Sequence, residues 1–114
     1  MSQTAKMIVF TSPVEGREDE YNEWYDNTHL VEFAALPGVV SAQRFKVSPT
    51  GPKSKTSYAA IYELDGDPAD VIQAMNAAIK SGEMHMSDAI DISSISMSAW
   101  DPHGDPIQSP AVGS

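Results

Sequence analysis

The alternation of hydrophobic and polar positions changes period several times along the chain, and each change marks an element. Lys6 to Thr11 contains Met7-Ile8-Val9-Phe10, apolar at every position yet short, which suits a central strand covered on both faces. Ser12-Pro13 and Glu15-Gly16 break it. From Arg17 to Gly38 the period becomes helical. At about 100° per residue, Tyr21, Trp24, Thr28, Val31 and Ala35 share one stripe, and Tyr25, His29, Phe33 and Leu36 an adjoining one. Glu32 falls between these stripes, where a carboxylate needs a partner. Glu18-Asp19-Glu20 puts negative charge at the helix start, and Pro37-Gly38 ends the helix. The spacing predicts a helix from about Arg17 to about Ala35.

Val39 to Val47, VVSAQRFKV, reads as a second strand with Val39, Gln43, Phe45 and Val47 on one side. Ser48 to Thr56 has the composition of an exposed hairpin loop. Ser57 to Leu64 is a third strand, with Tyr58, Ala60, Tyr62 and Leu64 facing one way and Ala59 and Ile61 the other. Strands joined by a loop pair antiparallel. Asp67 as N-cap and Pro68 in the first turn open a second helix, on which Val71, Ile72, Met75, Ala78 and Ile79 recur at helical spacing before Gly82. Glu83 to Ala89 is a connector holding His85. Ser94 to Trp100 alternates strictly and is a fourth strand, and Asp101 to Ser114, rich in Pro, Gly and Ser, is a flexible tail.

The order β-α-β-β-α-β predicts an α+β, ferredoxin-like fold over residues 1–100: a four-stranded antiparallel sheet with both helices on one face. The other sheet face is too apolar to stand in water. A second copy packed sheet to sheet with twofold symmetry would cover it, so a homodimer with a barrel-like core is expected.

Charge and composition narrow the partners. At 114 residues and 41% hydrophobic content the chain is one small domain. A net charge of −9 repels nucleic acid and anionic membranes alike. Having no cysteine, the chain cannot carry a disulfide framework, a thiolate nucleophile or a Cys-ligated metal. No apolar run is long enough to span a bilayer, and the N-terminus lacks a signal-peptide core, so a cytoplasmic protein is expected.

The stretch EYNEWYDNTHLVEFAALPGVVSAQRFKVS, Glu20 to Ser48, resembles the signature of the EthD-like group of dimeric α+β-barrel proteins. In that group a helix reading W-Y-x-x-x-H runs into L-P-G and a strand ending in R-F. The resemblance implies a homodimeric ferredoxin-like fold with a ligand cleft between sheet and helices, and it maps the family histidine onto His29. Val31 stands where the family pattern has proline. The wider superfamily includes cofactor-independent cyclases, isomerases, lyases and decarboxylases, as well as monooxygenases and haem-binding enzymes.

Histidine is the side chain best placed for proton transfer near neutral pH, and Asp26 and Glu32 lie three residues to either side of His29, within reach to orient it. Tyr25 lies one turn earlier. A His29–Tyr25 pair in an apolar cleft suits abstraction of a proton beside a carbonyl and stabilisation of the enolate. Equally, His29 can be a core residue that bonds a backbone carbonyl and fixes helix to sheet. Trp24, Phe33, Tyr58, Tyr62, Arg44 and His85 are the candidate substrate contacts. For each there is a plainer role: packing for the aromatics, a surface ion pair for Arg44, an exposed loop for His85. The three histidines form no close pair, and no glycine-rich phosphate loop is present, so no metal and no cofactor is expected. The expected activity is a cofactor-independent lyase, isomerase or cyclase step on a small aromatic or polyketide-like carbonyl compound. A cofactorless monooxygenase and a non-catalytic binding protein are the alternatives.

Overall fold

The computed structural model describes residues 4–48 and 57–110, so most of the expected hairpin loop and the last four residues of the expected tail lie outside the described residues. Strand β1 (Ala5–Thr11) is followed by helix α1 (Glu18–Trp24), a π-helical turn (Tyr25–His29) and helix α2 (Leu30–Ala34), the three running on as one rod. Strands β2 (Val39–Val47) and β3 (Ser57–Leu64), helix α3 (Pro68–Ser81) and strand β4 (Ser96–Trp100) complete the chain. The sheet order is β2-β3-β1-β4, antiparallel throughout, which is the ferredoxin-like arrangement. The apolar run of β1 sits between two neighbours, as a strand covered on both faces must.

Register decides which side chains meet the helices. Met7 lies opposite Tyr62 and Ala99, and Val9 opposite Ala60 and Met97. Met7, Val9, Ala60, Tyr62 and Leu64 share one core with Tyr21, Tyr25, Phe33 and Val71, so both helices lie on that face. Each fully buried large side chain of this set contributes roughly 1.5–3 kcal/mol. Tyr58 and Tyr62 are on the helix side, and Ala59 and Ile61 on the open side with Ile8 and Phe45.

Three boundaries differ from expectation. The first helix is not one α-helix: Leu30 N–H bonds to Tyr25 O, five residues back, which adds a residue to that turn. One extra residue rotates all that follows by about 100°, so Val31 and Ala35 turn outward while His29 and Phe33 are buried in line with Tyr21 and Tyr25. In β2 the pairing slips between Val39 and Ser41, a bulge that returns Val39 to the core and separates it from Gln43, Phe45 and Val47. The fourth strand starts at Ser96 instead of Ser94. Asp91 caps Ser93 N–H at 3.1 Å and Ser94 N–H bonds to Asp91 O at 2.9 Å, folding Ile92–Ser94 into a 3-10 turn. Asp67 caps α3 as expected, accepting from Ala69 N–H at 2.9 Å, and Gly82 ends it in the left-handed region.

Gly38 makes the tightest backbone approach. Its φ of 89° is left-handed, its carbonyl accepts from Asp65 N–H at 2.9 Å, and a Cβ there would lie 3.1 Å from Val71 Cγ2. Residues 101–110 are exposed and carry neither helix nor strand. Among the described residues no helix is long and apolar enough to cross a membrane.

Candidate functional site

The π turn sets Tyr21, Tyr25, His29 and Phe33 at four-residue intervals along one line facing the sheet, and the last three border a cavity of about 120 Å³. The cavity lies between this helix, α3 and the β3-β1-β4 part of the sheet. Val9, Thr11, Tyr62 and Met97 come from the sheet, Met75 and Ile79 from α3, and Met86, Ile90 and Ile95 from the loops after it. The wall is almost wholly apolar. Its polar residues are His29, Tyr25, Tyr62 and Thr11, the last hydrogen-bonded to Tyr21.

His29 is 7% exposed. Its ring stacks on Trp24 with centroids 4.7 Å apart and planes 21° apart, and meets the edge of Tyr25 at 4.9 Å. Nδ1 is buried and has no hydrogen-bond partner among the described residues. Burial pulls the imidazole down to about 4, with Glu32 opposing the shift and Arg44 adding to it, so the ring is neutral at pH 7. Burial pushes the Tyr25 phenol up to about 12, its bond to Tyr62 acting the other way, and drives Tyr62 higher still. Both hydroxyls, 3.4 Å apart, stay protonated and can donate.

The flanking carboxylates serve other residues. Asp26 pairs with Arg44 Nη1 at 2.7 Å, and Glu32 accepts from His85 N–H at 2.8 Å and meets His85 Nδ1 at 2.7 Å. His29 is therefore held by stacking and not by the carboxylate expected to orient it. Glu32 does find the partner that its position demanded.

Of the eight sequence candidates, His29, Tyr25, Phe33 and Tyr62 reach the cavity wall, whereas Trp24, Tyr58, Arg44 and His85 do not. Trp24 lies behind His29 and donates Nε1–H to His85 O at 2.9 Å. Tyr58 donates to Glu18 at 2.6 Å. Arg44, with a side chain only 10% exposed, lies 4.3 Å from the Tyr25 ring centre, 4.9 Å from Tyr58 and 5.3 Å from Tyr21, and its Nη2 donates to Asn22 Oδ1 at 2.9 Å. His85 is exposed in its loop, as the plainer alternative had it.

Met75 and Ile79 were readable as inward positions from their helical period, and Val9 from its apolar run, though not as cavity wall. Met86 sits in the connector, where no period could mark it, and Ile95 was placed in the alternating fourth strand but lies just before it, after the 3-10 turn. Among the described residues no three His, Asp or Glu side chains gather to hold a metal. Within the cavity, His29 and the thioethers of Met75, Met86 and Met97 are the groups able to ligate.

No protein-family model and no curated protein matches this sequence. Among solved structures, the fold matches an ethyl tert-butyl ether D (EthD) family protein from Bacillus halodurans C-125, with TM-score 0.63 and 23% identity over 88% of this chain and 99% of that one. It also matches a candidate monooxygenase from Shewanella loihica PV-4, with TM-score 0.54 and 15% identity over 92% of this chain and 100% of that one. The haem degrader MhuD from Mycobacterium tuberculosis, solved with two haems in its active site, superposes with TM-score 0.59 and 16% identity over 90% of this chain and 98% of that one. The ferredoxin-like fold of the single chain is thus the one the EthD-like resemblance implies.

Proposed function

We propose that this chain is a small-molecule enzyme that moves a proton at a carbon beside a carbonyl, without a cofactor, on an uncharged aromatic or polyketide-like compound. The observation that carries the reading is the neutral imidazole of His29 on the wall of a nearly all-apolar cavity, beside two protonated phenols. An engineered apolar cavity of about 150 Å³ takes up benzene, so a wall of this kind around about 120 Å³ suits a single small ring. A ring nitrogen of His29 takes the proton as the C–H bond breaks, and the electron pair moves onto the carbonyl oxygen. Tyr25 and Tyr62 donate to that developing oxyanion. Returning the proton at another carbon gives isomerisation, and expelling a leaving group gives a lyase step. The weak basicity of His29 is offset as the reaction proceeds, because its cation forms next to the anion it has made.

Deuterium uptake from D2O beside the carbonyl of small aryl ketones, followed by NMR, tests this directly. His29→Gln should slow uptake by about a hundredfold or more, and Tyr25→Phe by about ten- to a hundredfold. Exchange undiminished in His29→Gln would show that His29 is not the base, and exchange in the parent no faster than in buffer would leave a binding protein. kcat/KM for the exchange should stay level from pH 8 to about 5 and halve near about 4, the proton affinity of the buried ring.

The aromatic wall of Tyr25, Phe33 and Tyr62, on the fold shared with the candidate monooxygenase, supports a second reading, oxidation by O2 of a CH2 carbon in an electron-rich ring system to C=O, the substrate supplying all four electrons and the second oxygen leaving as water with the two hydrogens. Oxygen consumption in step with substrate loss would distinguish it. Haem does not fit: a tetrapyrrole with two carboxylates needs a far larger cleft and cations to meet its acids, and this wall supplies neither. The same reading has the protein acting as a cytoplasmic homodimer, its open sheet faces packed together over Phe45, which is 42% exposed in the single chain.

A further inference from the structure

Only two of the twelve side chains around the cavity are exposed, Met86 at 45% and Ile95 at 39%. Met75, Ile79 and Met97 are half-buried, so Met86 and Ile95 are the lining residues most open to solvent at the mouth, and the rims that carry them are built differently. Ile95 follows the capped 3-10 turn, donating N–H to Ile92 O at 3.2 Å, and that turn is tied to the end of β1 where Ser12 N–H donates to Ser94 Oγ at 2.8 Å. This rim is fixed by its own backbone. Met86 sits in the strap of residues 83–89, which has no helix or strand of its own and is held to the first helix from outside. Glu32 and Trp24 bind His85 through three hydrogen bonds, and Arg17 binds Asp88, donating Nη1–H to its carbonyl at 3.2 Å and Nη2–H to Oδ1 at 2.7 Å.

These ties stand on either side of Met86, and none of them uses it. The backbone is held while the side chain is left to turn. An unbranched thioether with three rotatable bonds can swing out and back without disturbing the fold around it.

We infer that Met86 is the entrance residue of the cavity: its side chain closes the mouth against Ile95, swings out to admit a ligand, and limits by its bulk what enters. This deepens the proposed function and rests on the cavity being where the ligand binds. Trp24 adds a link between entrance and chemistry, since the indole that holds His85 is the one stacked on His29.

The test uses the full chain labelled with 13C at its methionine methyls, with benzene as the probe. In the parent, benzene should shift the Met75, Met86 and Met97 methyl signals together. Met86→Ala should raise the association and dissociation rates by about tenfold, and Met86→Trp should lower them by a similar factor. Glu32→Ala, which frees the strap at His85, should speed exchange by about three- to tenfold. Parental rates in both Met86 variants, with the Met75 and Met97 shifts intact, would overturn the entrance while leaving the cavity as the binding site. No benzene shift at all in the parent would remove the cavity reading and the entrance together.

Discussion

His29 keeps an imidazole among aromatic rings with no carboxylate bound to it, and that isolation shapes how the folded chain responds to acid. An unfolded chain protonates this ring near the ordinary value of 6.5, the folded chain only near about 4. Between those values the unfolded state binds the extra proton, so stability falls as pH falls through that window, by about 3 kcal/mol in all. Above 6.5 the ring contributes no slope. Urea unfolding between pH 7 and 4.5 should show the loss in the parent and lack it in His29→Leu; an equal slope in both would mean the ring protonates freely in the fold. Arg44 is the opposite case, a cation kept nearly dry: Asp26, Asn22 and three tyrosine faces meet its guanidinium, while its buried Nε–H has no partner among the described residues. Lysine, lacking the planar fork, could not make that set of contacts.

At the scale of elements, Gly38 shows how a single backbone position holds two connections together. Its left-handed φ lets the end of α2 turn into β2 while Gly66, before α3, passes close by. Gly38→Ala should cost about 1–2 kcal/mol from the backbone conformation alone, and more from the contact with Val71, as a lowered midpoint in urea. An unchanged midpoint would show that this turn relaxes. The strands, the capped start of α3 and Gly82 at its end were legible because each rests on local chemistry: period, N-cap, glycine. The π turn was not, since an added helical residue leaves no compositional mark and shows only when Phe33, rather than Val31, must meet Tyr62. The bulge at Val40 hid for the same reason, being fixed by pairing with β3. Helical spacing placed His29 and Tyr25 on the inward side, where both line the cavity, but the partners of Asp26 and Glu32 come from β2 and the strap, too far along the chain for that spacing to reveal.

At the scale of the molecule, the sheet has one face sealed by helices and another that is only half suited to water. On it Ile8 and Ala59 are buried and Ile61 half-buried within the single chain, Phe45 and Trp100 are exposed, and Ser96, Ser98 and Gln43 lie toward the edges. Such a face with a polar border is what an isologous pair of chains requires. Light scattering on the purified chain should give twice its 12.3 kDa mass, and Phe45→Glu should bring it to the single mass with its helical signal kept. A monomeric parent would end the dimer proposal without touching the cavity.

The stacked Trp24–His29 pair also supplies an optical gauge. Indole emission is quenched far more strongly by an imidazolium than by a neutral imidazole, and the second tryptophan, Trp100, is exposed on β4. In a Trp100→Phe background the remaining fluorescence would dim whenever His29 gains a proton, so a stopped-flow trace could follow the transfer itself, turnover by turnover, with no label attached.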